Sequence, residues 1–178
     1  MKRTALALVA CVAPGLVAPV AADELVSTYI SAAAIEATIA AAPPGEVSDQ
    51  QIRHVEAPQA NLGVGIVRRP AMARGEPIRV IRHHNQSEVY RVVSGRGTLV
   101  TMMAAAGEEP LDPDGVIVRT LTGPSSVGLA GGPMQEQEIG PGDVVIIPAG
   151  LAHGFSEIVG EITYLVVRID PDRLVELK

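Results

Sequence analysis

Gly142-Asp143-Val144-Val145-Ile146-Ile147-Pro148-Ala149-Gly150-Leu151-Ala152-His153 reads as a strand, a sharp turn and the opening of a second strand. Asp143–Ile147 is a short β-branched run, the habit of a strand packed in a sheet. Pro148-Ala149-Gly150 ends it, because proline cannot donate to a ladder and glycine readily turns the chain. His153 then stands at the mouth of a second run, Ala152–Ile158, with Phe155 two residues on and on the same face.

Segments of the same kind fill most of the chain. Gln51–Glu56, Leu62–Arg69, Ile78–His84, Glu88–Val93 and Thr98–Met103 are short, β-branched and bounded by turn residues, as are Val116–Leu121, Met134–Ile139 and Ile162–Ile169. Gly and Pro number 18 and 14 in 178 residues, a density that suits many strands and turns better than a helix bundle. One helix is predicted over Ala32–Ala42, N-capped by Ser31 and stopped by Pro43-Pro44-Gly45, after a short strand at Glu24–Ser31. Ala104–Gly115 reads as a polar loop and Gly123–Gly132 as a flexible connection. The expected fold class is therefore all-β, a jelly-roll-like barrel with one short N-terminal helix, since closure protects strand edges.

Composition narrows the function. A 47% hydrophobic and 19% charged chain can build a core. It has three Tyr, one Phe and no Trp, so stacking platforms for nucleic acid are not expected; a net charge of −6 also disfavours phosphate backbones. With so few aromatics, Val, Ile, Leu and Ala must fill the core.

The first residues read as a secretory signal. Lys2 and Arg3 precede an uncharged stretch, Thr4–Ala22, and Val20-Ala21-Ala22 has the small residues of a cleavage site before Asp23. Pro14, Gly15 and Pro19 interrupt the stretch, which argues against a stable membrane span. Leu8-Val9-Ala10-Cys11 has lipobox character, a competing lipoprotein reading that the short apolar run before Cys11 disfavours. The expected organisation is a signal peptide at 1–22, an N-terminal extension at 23–60 and a barrel domain at 61–178, with a periplasmic or secreted mature chain. Cys11 is the one cysteine, so the mature chain needs no disulfide.

The four histidines focus the chemistry. His83 and His84 are adjacent, His153 is remote and His54 stands alone. Glu88 follows His84 across a turn at Asn85-Gln86-Ser87, and parity puts Glu88, Tyr90 and Val92 on one face. Two imidazoles and a carboxylate with open positions form a facial triad suited to Fe(II), and the same set can hold Mn, Zn, Co or Ni. His83 and His84 point to opposite faces of a regular strand, and only a bulge brings both to one ion. Tyr90 and Glu157 are candidates for moving protons, and Arg68, Arg69 and Arg82 for holding an anion, although solvated strand edges commonly carry such charges.

These residues carry a family resemblance. Gly142–His153 resembles the second motif of the cupin superfamily, G-x5-P-x-G-x2-H, and His84–Gly95 resembles the latter part of the first, H-x-H-x(3,4)-E-x6-G. The first His of that pair falls at Arg82 or Ile81, depending on whether His84 or His83 takes the second place. Over roughly Ile78–Arg168 the resemblance implies a cupin double-stranded β-helix, often a homodimer, with one divalent metal ion near the barrel axis. It implies His84 (or His83), Glu88 and His153 as ligands and Ala104–Gly132 as decoration of the mouth. Two functions fit. One is an exported metal-binding enzyme acting on a small molecule by oxygen activation or Lewis-acid chemistry. The other is a non-catalytic periplasmic small-molecule-binding or sensor barrel.

Overall fold

The computed structural model of the chain describes residues 26–178. The expected signal peptide and its cleavage site lie outside the described residues. The α-helix α1 spans Ala32–Ala41, and the Ser31 hydroxyl accepts from Ala34 N at 3.1 Å, the expected N-cap. The strand expected at Glu24–Ser31 is not formed in its described part. Val26 and Tyr29 project into solvent there, with no neighbouring ladder to join.

Nine strands follow: β1 (Ser48–Glu56), β2 (Asn61–Met72), β3 (Arg79–His83), β4 (Ser87–Met102), β5 (Ala106–Pro110), β6 (Ser125–Leu129), β7 (Gln135–Ile139), β8 (Val144–Ile147) and β9 (Ala152–Asp170). Their order is β1-β2-β9-β3-β6-β5, with β4 paired to β7, β8 and β9. Every pairing is antiparallel. β1, inside the stretch expected as an N-terminal extension, is thus hydrogen-bonded to β2 along its whole length.

β4 and β9 are each continuous where the sequence predicted two strands. The interruptions Ser94-Gly95 and Val159-Gly160 are bends instead of turns: the β4–β9 register shifts between Val92 and Ser94 and again between Ser94 and Arg96. Such bulges let one strand serve two sheets. Gly95 has φ +76°, and a Cβ there would collide with the Glu161 carbonyl. Gly95→Ala should therefore lower stability by roughly 2–4 kcal/mol in urea unfolding, because both φ and the backbone contact must give; an unmoved midpoint would show that the bend tolerates a side chain.

Three further expectations are corrected. Val116–Leu121 is no strand; Val118–Thr122 forms a π-helical turn, closed by Gly123 N on Val118 O at 3.0 Å. Its β-branched residues have no ladder beside them, so local hydrogen bonds decide. The polar loop Ala104–Gly115 contains β5, and the connection Gly123–Gly132 contains β6, paired with each other and with β3. Exposed polar β5 carries no alternation to betray it, and β6 approaches so closely that a Cβ on Gly128 would sit 2.9 Å from Ala106 O.

The inward faces make the core. Val67, Val92, Leu99, Ile139, Ile147, Ile158, Ile162 and Val166 pack around Tyr90, Phe155 and Tyr164. Aliphatic residues fill most of the volume, as expected, and three of the four aromatics stand among them. Glu88, Tyr90 and Val92 share the buried face that parity assigned to them.

Candidate metal centre

Three strand ends build one cluster. His83 closes β3, Glu88 lies at the start of β4 and His153 at the start of β9. Register explains their meeting: Ile81 pairs with His153 between β3 and β9, and Glu88 lies opposite both Ile147 and Arg168. Gly150 N donates to His83 O at 2.7 Å, which pins the Pro148–Gly150 turn to the end of β3. His83, Glu88 and His153 are 4%, 1% and 2% exposed, so charge between them is poorly screened by water.

Hydrogen bonds fix which ring nitrogens face inward. The Ser125 hydroxyl lies within donating distance of the Thr122 and Gly123 carbonyls, so it accepts from His83 Nδ1 at 2.9 Å. His153 Nδ1 donates to Leu151 O at 3.1 Å. In the neutral rings both Nε2 atoms are then bare acceptors, 3.5 Å (His83) and 3.3 Å (His153) from Glu88 Oε2, and a protonated ring would instead donate to that oxygen. Backbone and hydroxyl partners on Nδ1 are the orienting contacts that metal-ligating histidines need.

The donor set fits a cation. One oxygen and two nitrogens, all within 4.8 Å of one another, turn lone pairs toward a common point. A single neighbouring proton, that of Tyr90, is shared out: its hydroxyl donates to Glu88 Oε2 at 2.8 Å and lies 3.2 Å from His153 Nε2. Donors on bonds of about 2.1 Å at right angles stand about 3 Å apart, so these separations suit a facial set.

Arg168 supports the carboxylate from behind. It is 2% exposed and donates through Nε to Glu88 Oε1 at 2.9 Å, through Nη1 to Gln51 Oε1 at 3.0 Å and through Nη2 to Asp49 Oδ2 at 2.6 Å. Burial pushes the Glu88 carboxyl up, but the positive charge that His83 carries when protonated, the hydrogen bonds that protonated His153 and His83 donate, and the charge of Arg168 together hold it well below the usual carboxylate range. Tyr90 goes the other way: burial first, then the Glu88 charge, raises its hydroxyl well above the ordinary tyrosine value, so it keeps its proton. Tyr90 packs on Tyr164 with ring centroids 4.3 Å apart, and Tyr164 OH accepts from Arg69 Nε at 3.0 Å.

The remaining candidates fall elsewhere. His84 is exposed and turns its Nε2 to the Ser126 hydroxyl at 3.2 Å, on the opposite side of the chain from His83, as strand alternation demands. His54 is buried but hydrogen-bonds through Nδ1 to Glu176 O at 2.9 Å, outside the cluster. Glu157 pairs with Arg74 at 3.2 Å. Arg68 is taken by Glu161 at 2.7 Å and Arg82 by Glu108 at 2.5 Å. Sequence reasoning missed Arg168, Asp49, Gln51 and Ser125.

No protein-family model and no curated protein matches the chain. Solved structures do, at low identity. A protein of Bacillus halodurans is 13% identical over 84% of this chain and 90% of its own, with a TM-score of 0.46. A cupin 2 conserved barrel domain protein from Salinispora arenicola is 15% identical over 70% and 76%, with a TM-score of 0.37. The DMSP lyase DddQ from Ruegeria pomeroyi is 16% identical over 71% of this chain and 48% of the lyase, with a TM-score of 0.40. The antiparallel strand order, the two long bent strands and the one short α-helix among the described residues make this chain an all-β jelly-roll-like barrel.

Proposed function

We propose that the chain is an exported cupin that holds one divalent metal ion on His83, Glu88 and His153 and uses it on a small-molecule substrate. The observation that carries this reading is the pair of imidazoles whose Nδ1 atoms are tied off, leaving both Nε2 lone pairs aimed at one carboxylate oxygen. Fe, Mn, Zn, Co and Ni all suit the donors. When bound, such an ion supplies Lewis acidity toward an oxygen atom of the substrate or of water. The chain's own residues do the rest: Arg168 orients Glu88, Ser125 and Leu151 O orient the imidazoles, and Tyr90 keeps a proton at its hydroxyl beside the ion's place. That proton is the catalytic asset, because it can be delivered to a substrate oxygen that takes up charge.

The near-complete burial of the three ligands favours a second reading, a barrel that retains an ion or ligand without turnover. Two measurements separate the possibilities. Metal analysis of protein from its native compartment should give one equivalent for wild type, His84→Ala and His54→Ala and little for His83→Ala; equal metal in wild type and His83→Ala would refute the centre. In the Co(II)-loaded protein, azide should shift the visible bands if a coordination position is exchangeable, and leave them unmoved in the non-catalytic barrel.

Export is part of the proposal. The basic start, the uncharged stretch and the small residues before Asp23 support a mature chain that begins near Asp23. N-terminal sequencing of the exported protein should find that start; an intact Met1 or a lipid-modified Cys11 would overturn it. A homodimer, common among cupins, is the assembly proposed for this barrel.

A further inference from the structure

A second polar feature of the barrel is left unused by the metal centre. Arg69, on β2, lies two residues beyond the core residue Val67 and so on the inward face. Its Nε is spent on Tyr164 OH, and its guanidinium carbon lies 5.6 Å from the centroid of the Phe155 ring. No carboxylate among the described residues pairs with it within 4.0 Å. Asp49, the acid that bears on it electrostatically, is held instead by Arg168 at 2.6 Å. The two terminal NH2 groups of Arg69 have no protein acceptor among the described residues, and Arg69 lines a cavity.

That cavity, about 260 Å³, lies between β2, β3 and β9. Its walls are Met72, Pro77, Phe155 and Ile158, with Arg69 on one side and Arg79, likewise unpaired among the described residues, on another. The lining carboxylate, Glu76, is turned to its own loop, where Oε1 accepts from Ala73 N at 2.9 Å. The pocket thus offers a guanidinium with unspent NH2 donors, a second cation and an apolar, partly aromatic wall.

We propose that this pocket binds the carboxylate end of a small apolar monocarboxylic acid. The terminal NH2 groups of Arg69 pair with both carboxylate oxygens, the planar match for which arginine is suited. Arg79 adds charge at the rim. Phe155, Met72 and Ile158 take the hydrocarbon body, and the volume holds a single ring or a short chain. Carboxylate is favoured over phosphate because one fork facing apolar walls satisfies two oxygens and leaves a third or fourth without donors. Phe155 lies two residues along β9 from His153, about 6–7 Å and on the same face of the strand. As a statement about substrate class this rests on the metal-centre reading; as a statement about binding it does not.

The test is calorimetric titration of the chain, metal-free and metal-loaded, with benzoate, benzamide and inorganic phosphate. Benzoate should bind in both forms, and benzamide and phosphate at least about tenfold more weakly. Arg69→Gln should weaken benzoate at least tenfold and rim-exposed Arg79→Gln about threefold, while Arg74→Gln, outside the pocket, leaves it unchanged. Arg79→Gln keeps the test decisive should the loss of Arg69 disturb the core. Benzamide equal to benzoate, or benzoate unaffected by both pocket variants, would overturn the proposal, and phosphate equal to benzoate would overturn the carboxylate assignment. Binding to the metal-loaded form alone would overturn the pocket as a site in its own right. Benzoate binding in a chain that takes up no metal would uphold the pocket and refute only the metal reading.

Discussion

Arg168→Met should destabilise the metal-free barrel by about 3–5 kcal/mol, the loss typical when one partner of a buried ion pair is removed. Methionine fills much of the volume of the arginine stem, so the loss reports charge more than a cavity. Glu88 is 1% exposed, and its Oε1 would lose its donor at 2.9 Å while its Oε2 still faced two imine nitrogens. Arg168 is also the one permanently charged group on that carboxylate, because the imidazoles carry charge only when protonated. Asp49 and Gln51 would lose the same donor, which extends the damage to β1. Chemical unfolding at neutral pH measures the effect; a variant within 1 kcal/mol of wild type would mean that Glu88 is already protonated or otherwise compensated.

His83 first, then the hydrogen bonds of both imidazoles and the charge of Arg168, set an acid limit through Glu88. The folded-state pKa of Glu88 lies below its unfolded value, so its contribution is fully present above the unfolded carboxyl pKa, near 4.3, and fades as pH falls through the lower folded value. Without Arg168 the folded value rises. The difference between variant and wild type should therefore be largest at neutral pH and shrink in acid, where both chains carry a protonated Glu88.

How much of this was readable from the residues depends on which physical signal each one leaves. His153 was legible because a proline–glycine turn must end β8, and whatever opens the next strand stands at the barrel's end. Glu88 and Tyr90 were legible through parity. The choice between His83 and His84 was not, because both spacings to Glu88 suit the motif, and only the pairing of Ile81 with His153 fixes which ring turns inward. Arg168 left a signal that went unread. In Ile162–Ile169 it shares parity with Tyr164 and Val166, and a charge at an inward position of an apolar strand implies a buried partner. Asp49 and Gln51 alternate in the same way along β1. Ser125 left none: it lies in β6, inside the glycine-rich stretch Gly123–Gly132 that has the composition of a loop, and its role depends on long-range pairing with β3.

Removal of a ligand should lower both metal affinity and stability, by different routes. Glu88→Gln keeps the shape of the side chain and can still accept from Arg168 through its amide oxygen. Its NH2 would then face His83 Nε2 and His153 Nε2, where the carboxylate oxygen stands 3.5 and 3.3 Å away. An amide donor there can satisfy the imidazole lone pairs, but the ion pair with Arg168 is lost, so the metal-free variant should be less stable than metal-free wild type near neutral pH, and the gap should narrow in acid. Against a divalent ion the loss is larger. The only anionic ligand is gone, the amide hydrogens point where the ion would sit, and the charge of Arg168 is no longer balanced by Glu88. Affinity should fall by at least about 100-fold, beyond the 10- to 100-fold typical of losing an outer-shell partner. His153→Ala should lose affinity to a similar extent and also lose stability, about 2–4 kcal/mol, since it opens a void beside Tyr90 and removes the bond to Leu151 O. Competition titration with a chromophoric chelator and thermal unfolding of the metal-free proteins measure both quantities on the same samples. Wild-type affinity in Glu88→Gln would show that the cluster is an internal polar network and not a metal centre.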